Sequence, residues 1–197
     1  MSERLERAVC VYCASSNSAD PGFAAAARRL GELLAGDGRT LIYGGSRGGS
    51  MGALADGALA QGGRVIGVLP RLLRDLELSH DGLSELHIVE DMRERKHLML
   101  SRSEAVVALP GGCGTLEELL EAITLKRLGL FLGPIVIVNL RGYFAPLVAL
   151  LEAAVRERFM DPRHLAMWQV VDSPEAVLPA LRSAPAWSAA ARRYASL

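Results

Sequence analysis

One stretch of the chain, residues 109–118 (LPGGCGTLEE), combines a phosphate-binding pattern with two acidic side chains. The apolar run 105–109 predicts a buried strand, and 116–124 predicts a helix with Glu117 and Glu118 in its first turn. Glycines allow a ligand to approach the backbone closely, and the free N–H groups at a helix start attract anions. Because carboxylates repel a phosphate, their presence indicates chemistry beside it that needs negative charge or a base.

The elements around this stretch alternate between strand and helix. Apolar runs predict strands at 8–13, 40–43, 65–69, 105–109, 135–139 and 167–171, and a short strand at 86–89. Helical spacing predicts helices at 21–35, 51–61, 91–100, 116–124, 143–158 and 174–182, the first capped by Asp20 and the third by Asp91. This order predicts a Rossmann-like α/β fold, a doubly wound and mainly parallel sheet with helices on both faces. We expect one domain, 1–197, with its core at about 8–182 and a C-terminal tail at 183–197.

Three turns of small residues, at 14–18, 44–50 and 110–115, each follow a predicted strand. The carboxyl ends of parallel strands meet at one edge of the sheet, where ligands bind near the switch in strand order. The middle turn lacks the lysine of a Walker loop and a true G-x-G-x-x-G, which disfavours a dinucleotide oxidoreductase. Together the turns predict a nucleotide or sugar-phosphate ligand, and the connection 70–84 is expected to overhang the same crevice.

The net charge and the number of cysteines indicate which binding partners and which cellular location to expect. Lys and Arg number 22, as do Asp and Glu, so a net charge of zero gives no electrostatic basis for binding nucleic acid or an anionic membrane. No apolar run approaches the ~20 residues of a membrane span. The three cysteines are an odd number and predict a reducing, cytoplasmic location.

The individual cysteines and histidines each have a functional and a structural interpretation. Cys10 and Cys13 have the spacing of a redox or zinc pair, but they lie in a predicted strand whose alternate residues face opposite sides, which favours packing. Cys113 could act as a nucleophile, although its acidic neighbours disfavour a thiolate. His80 and His87 lack partners at metal-ligand spacing, so we expect no metal site.

Two of these motifs carry a resemblance to a known family. Residues 110–118 resemble the PGGxGTxxE signature of the LONELY GUY family, and 92–96 (MRERK) resemble its M-x-x-R-K segment. The resemblance extends over about 9–180 and implies hydrolysis of the N-glycosidic bond of N6-modified AMP, giving the free base and ribose 5-phosphate. It also implies a nucleoside 5′-monophosphate as the small-molecule partner, a homodimer and no cofactor. Relatives have been described as lysine decarboxylases, but no lysine suited to pyridoxal phosphate is evident.

The resemblance also implies which residues perform the reaction. Arg95 and Glu118 are the implied catalytic pair. The implied substrate-binding residues are Gly44, Gly45, Ser46, Glu77, Lys96, Gly111, Gly112, Cys113, Gly114, Thr115, Glu117 and Thr124. Glu118 would stabilise the positive sugar carbon or activate water, and Arg95 would orient that carboxylate and assist departure of the base.

Two alternative functions are compatible with the same motifs. One is a broader nucleotide 5′-monophosphate nucleosidase of nucleotide salvage, which would act on purine and pyrimidine monophosphates at similar rates. The other is a non-catalytic protein that binds a nucleotide or the molybdenum cofactor, as carrier proteins of the same general fold do. Such a protein would retain its ligand and release no base.

Overall fold

The computed structural model describes residues 5, 7–74 and 79–194 of the chain. Within these residues, seven strands form one sheet, and every neighbouring pair of strands is parallel. The strands are β1 (Ala8–Tyr12), β2 (Thr40–Tyr43), β3 (Val65–Pro70), β4 (Glu85–Val89), β5 (Ala105–Ala108), β6 (Ile135–Val138) and β7 (Gln169–Val171). Helices cover both faces, which confirms the predicted Rossmann-like α/β fold.

The strand order β4-β3-β2-β1-β5-β6-β7 contains one reversal. The chain proceeds outward from β1 to β4 and then returns to place β5 on the other side of β1. Val9 of β1 therefore pairs with Leu41 of β2 on one side and with Ala105 of β5 on the other. The turns after β1 and β5 diverge at this switch point, and their divergence opens a crevice at the carboxyl edge of the sheet.

Seven α-helices complete the layers within the described residues. They are α1 (Pro21–Gly36), α2 (Gly49–Ala60), α3 (Arg71–Arg74), α4 (Met92–Ser101), α5 (Cys113–Arg127), α6 (Ala145–Arg156) and α7 (Val177–Ser183). The side chain of Asp20 accepts the N–H of Gly22 at 2.7 Å, and that of Asp91 accepts the N–H of Glu94 at 2.7 Å, which confirms both predicted caps. Within the described residues, none of these helices is both long enough and apolar enough to cross a membrane.

The two faces of β1 belong to different core layers. Cys10 packs in the layer formed with α4, α5 and α6, whereas Cys13 packs in the layer formed with α1, α2 and α7. Both thiols are buried and neither forms a disulfide, which confirms that the spacing of these cysteines reflects strand packing. Burial raises the pKa of both thiols well above the usual range because the thiolate would lose its hydration.

The start of α5 differs from the sequence prediction. The helix begins at Cys113 rather than at Leu116, so Glu117 and Glu118 lie in its second turn and their predicted position in the first turn is wrong. The sequence Cys-Gly-Thr has low helix propensity and gives little sign of a first turn. The tertiary contacts of Thr115, which is 3% exposed, override that local preference.

Smaller differences occur near the C-terminus. Strand β7 begins at Gln169 rather than at residue 167, and a short 3₁₀ turn, Pro174–Ala176, precedes α7. After α7 the chain returns to α5, where the indole N–H of Trp187 donates to the carbonyl of Lys126 at 2.8 Å. A 3₁₀ helix, Ala189–Tyr194, then ends the described part of the chain.

Candidate active site

A cavity of about 310 Å³ opens at the switch point of the sheet. Its walls come from the turns after β1 and β5 and from α2, α3, α4 and α5. The lining residues are Cys13, Ala14, Ser15, Ser16, Met51, Leu73, Met92, Arg95, Gly112, Gly114, Thr115 and Glu118. The turns at 14–18 and 110–115 therefore meet as predicted, and Leu73 of the 70–84 connection borders the cavity.

Arg95 extends from α4 to the carboxyl ends of two strands. Its Nε donates to the carbonyl of Val68 and its Nη2 to the carbonyl of Gly44, each at 3.2 Å, and the residue is 4% exposed. A Cβ on Gly44 would lie 2.1 Å from Nη2, so this glycine makes room for the guanidinium. Two backbone carbonyls thus hold a buried positive charge at one wall of the cavity.

Glu118 faces this guanidinium from the second turn of α5. Its Oε1 lies 4.0 Å from Nη1 of Arg95, and the residue is 4% exposed. Burial raises the pKa of the Glu118 carboxyl to about 7, and the charge of Arg95 offsets part of this rise. A carboxyl that titrates near neutral pH can both accept and return a proton during a reaction.

The start of α5 forms an open cradle beside this pair. A Cβ built on Gly112 or Gly114 would meet no atom within 4 Å, apart from the immediate chain neighbours. Gly111 is packed instead, because a Cβ there would lie 2.1 Å from Oγ1 of Thr115. The first N–H groups of a helix have no partner within the helix, so this open turn can bind an anion.

Four of the predicted binding residues lie outside this cavity, on α4 and α5: Lys96, Cys113, Glu117 and Thr124. The side chain of Lys96 is 13% exposed and lines a separate cavity of about 380 Å³ between these two helices. Nζ of Lys96 forms ion pairs with Glu117 and, at 3.2 Å, with Oε2 of Glu121. The hydroxyl of Thr124 donates to the backbone of its own helix at 2.8 Å. Cys113, Glu117 and Thr124 border a separate, shallow depression of about 530 Å³. The structure therefore divides the predicted site into a buried group and an outer group.

The remaining predicted residues occupy other positions. Gly44, Gly45 and Ser46 do not line the cavity; Gly44 contacts Arg95, and Ser46 is 3% exposed. Glu77 lies outside the described residues.

Sequence reasoning missed other cavity residues as individual candidates, among them Ser16, Met51, Leu73 and Met92. The sequence signal that could have identified these residues is their position after predicted strands. Ser16 follows β1 and Leu73 follows β3, both at the ligand-binding edge of the sheet.

The sequence of this chain is similar to a known protein family and to named enzymes. Residues 51–181 match a family described as "Possible lysine decarboxylase". A cytokinin riboside 5′-monophosphate phosphoribohydrolase of Rhodococcoides fascians is 39% identical over 178 residues, which cover 90% of each protein. One of Arabidopsis thaliana is 40% identical over 169 residues, covering 85% of this chain and 76% of that protein. The chain belongs to the LONELY GUY family.

A solved structure outside these relatives shares the fold. The molybdenum cofactor carrier protein of Chlamydomonas reinhardtii superposes on this LONELY GUY protein with a TM-score of 0.71 and 21% identity. The similarity covers 90% of this chain and 97% of the carrier protein. At this level of identity the likeness concerns the arrangement of strands and helices.

The lysines of this LONELY GUY protein do not fit the description as a lysine decarboxylase. Such chemistry uses pyridoxal phosphate, which forms a Schiff base with a lysine. The chain has two lysines, Lys96 and Lys126. Lys96 is paired with the carboxylates of Glu117 and Glu121, and Nζ of Lys126 is buried against the carbonyl of Gly133 at 2.7 Å. Because neither lines the cavity of Arg95 and Glu118, that cavity has no lysine to hold the cofactor.

Proposed function

We propose that the protein hydrolyses the N-glycosidic bond of adenosine 5′-monophosphates, including N6-modified ones. The products are the free base, a cytokinin or adenine, and ribose 5-phosphate. The observation that carries this proposal is the buried Glu118–Arg95 pair beside an open helix start. The relatives named as cytokinin riboside 5′-monophosphate phosphoribohydrolases support the same activity.

The phosphate binds at the start of α5 in this proposal. The N–H groups of residues 112–115 and the Thr115 hydroxyl donate to the phosphate oxygens, and the helix dipole favours the negative charge. Glu118 is one turn further along the helix and borders the same cavity as Gly112 and Gly114. A ribose attached to the bound phosphate then lies against the Glu118 carboxylate.

The reaction breaks the bond between C1′ and the base nitrogen. Positive charge develops on the sugar, and the buried Glu118 carboxylate stabilises this charge at short range. Water attacks C1′ and transfers a proton to Glu118, whose pKa of about 7 suits it to act as a base at neutral pH. The bonding electrons leave with the base, which takes up a proton from solvent, and Glu118 then releases to solvent the proton it received from water. Arg95 orients the carboxylate and assists this departure.

The outer surface of α5 is proposed to form a homodimer interface in the cytoplasm. Leu120 of this surface is 39% exposed and lines the depression beside Cys113. Light scattering should give twice the chain mass of 21.1 kDa. A monomer at micromolar concentration would contradict this assembly.

A panel of nucleotides tests the activity. The protein is incubated with an N6-modified AMP, AMP, GMP, CMP and adenosine, and free base and ribose 5-phosphate are measured. We expect equimolar release of both products from the adenine nucleotides and little release from adenosine, which lacks the phosphate. Equal rates with GMP and CMP would instead favour a broad nucleosidase. Tight nucleotide retention without base release would indicate a binding protein and contradict the proposal.

A further inference from the structure

Tyr143 contacts the glycine turn of the site from a distant part of the chain. Its phenol hydroxyl donates to the carbonyl oxygen of Gly111 at 2.6 Å. Tyr143 follows β6, whose carboxyl end adjoins that of β5, so the sheet brings the two segments together. Tyr143 and Gly112 also line a second cavity of about 200 Å³ that shares Ala14, Ser16 and Gly112 with the main cavity.

The phenol ring packs against two other aromatic rings. It packs edge-on against Phe23, with ring centroids 6.1 Å apart, and against Phe144, at 5.1 Å. Arg141 of the same segment forms an ion pair with Asp20 at 3.0 Å and lies over the Phe23 ring. Tyr143 is 42% exposed, and the two ring contacts favour the orientation in which its hydroxyl reaches Gly111.

The peptide that joins Gly111 and Gly112 needs such a constraint. With glycine on both sides, this peptide can rotate at little steric cost, and several orientations are open to it. In a trans peptide the C=O and N–H groups point in opposite directions, and no described peptide is cis. Once Tyr143 holds the Gly111 carbonyl, the Gly112 N–H must point the other way. A Cβ on Gly112 would meet nothing within 4 Å, so Gly112 borders open space.

We propose that Tyr143 is a positioning residue that aims the Gly112 N–H at the phosphate of the substrate. The inference rests on the proposed function for the identity of that phosphate. Tyr143 does not touch the reacting atoms and acts through the peptide orientation. Its loss therefore weakens binding of the phosphate in ground state and transition state alike, which raises KM and leaves kcat nearly unchanged.

The variant Tyr143→Phe removes only the hydroxyl and keeps the ring contacts. We expect KM for AMP to rise about fivefold, the factor that corresponds to one neutral hydrogen bond of about 1 kcal/mol. The dissociation constant of ribose 5-phosphate, measured by calorimetry, should rise by the same factor. Binding of adenosine, which has no phosphate, should stay the same. Tyr194→Phe is the matched control, because Tyr194 packs against Trp187 and His164 near the C-terminus.

The binding measurements keep this test separate from that of the activity. If the wild-type protein binds ribose 5-phosphate but releases no base, the proposed function fails while the role of Tyr143 is still measured. The inference is overturned if ribose 5-phosphate binds equally well to Tyr143→Phe and to the wild type. It is also overturned if adenosine binding weakens by the same factor, or if the wild type binds neither ribose 5-phosphate nor inorganic phosphate.

Discussion

Two glycine-rich turns lead from strand to helix at the carboxyl edge of the sheet, and their surroundings differ. In the Gly44 turn (residues 44–50), a Cβ on Gly48 would lie 2.5 Å from the carbonyl oxygen of Ser15, and one on Gly49 would lie 2.3 Å from that of Ser16. In the Gly112 turn (residues 110–115), Gly112 and Gly114 border open space. The first turn uses glycine for packing, whereas the second leaves room for a ligand.

The backbone N–H groups show the same division. In and after the Gly44 turn, the N–H of Gly49 donates to Asn17 Oδ1 at 2.8 Å and that of Met51 donates to the carbonyl of Ala14 at 3.0 Å. The N–H of Gly112, in contrast, has no hydrogen-bond acceptor within residues 7–74 and 79–194. Glycine content alone therefore does not distinguish a packing turn from a binding turn. The difference depends on whether another segment of the protein already occupies the donors.

The largest expected effect concerns the acid that follows the Gly112 turn. Glu118→Gln keeps the shape of the side chain but removes its negative charge and its basicity. We expect kcat for base release to fall by at least ~1,000-fold, because both charge stabilisation and proton transfer are lost. Steady-state assays of free base measure this. Glu152→Gln is the control, since Glu152 is an exposed glutamate of α6. Near-normal turnover of Glu118→Gln would contradict the assigned role.

Gly44→Ala tests whether the Gly44 turn acts through Arg95. The new Cβ would need the space that Nη2 of Arg95 occupies, so the guanidinium must move. A displacement of about 1 Å at a catalytic group can cost ~100-fold in kcat, and we expect a loss of that order. Gly36→Ala is the control, because a Cβ there meets nothing within 4 Å. Unchanged kcat in Gly44→Ala would mean that the position of Arg95 is not critical.

The buried acid also makes stability depend on pH. The folded-state pKa of Glu118 is about 7, above its usual value of 4.5, so the folded protein binds this proton more tightly than the unfolded chain. The stabilisation is complete below about pH 4.5 and is lost as pH rises through about 7. Relative to Glu118→Gln, the wild type should lose on the order of 2 kcal/mol between pH 5 and pH 8. Urea unfolding at both pH values measures this, and parallel pH curves would contradict the raised pKa.

Gly112→Ala tests whether the open space beside the Gly112 turn binds the phosphate. Gly112 has φ −81°, which alanine adopts without strain, so the fold should be kept and its stability should change by less than ~1 kcal/mol. The added methyl group enters the space proposed for the phosphate. We expect KM for AMP to rise about tenfold, equivalent to ~1.4 kcal/mol, with a smaller change in kcat. A wild-type KM would place the phosphate elsewhere in the cavity.

Much of the fold could be predicted because its signals are local. Short, continuous apolar runs indicated the strands. Asp20 and Asp91 indicated two helix starts, because each caps its helix through a hydrogen bond to a residue close by in the sequence. The start of α5 was missed because Cys113 and Gly114 are weak helix formers, and because the burial of Thr115 in the same turn is a tertiary effect. Tyr143 was missed as a site candidate because its contact with Gly111 spans 32 residues and no local pattern indicates it.

The sequence by itself determined the order of the elements, the two caps and the turns at the sheet edge, since these depend on neighbouring residues. It also indicated Glu118 and Arg95 through their motifs. Only the tertiary structure decided that Glu118 points into the cavity while Glu117 points outward, because that depends on where α5 begins and which of its faces meets the sheet. The raised pKa of Glu118 follows from the same packing, since removal of water from a carboxylate requires many distant residues to surround it.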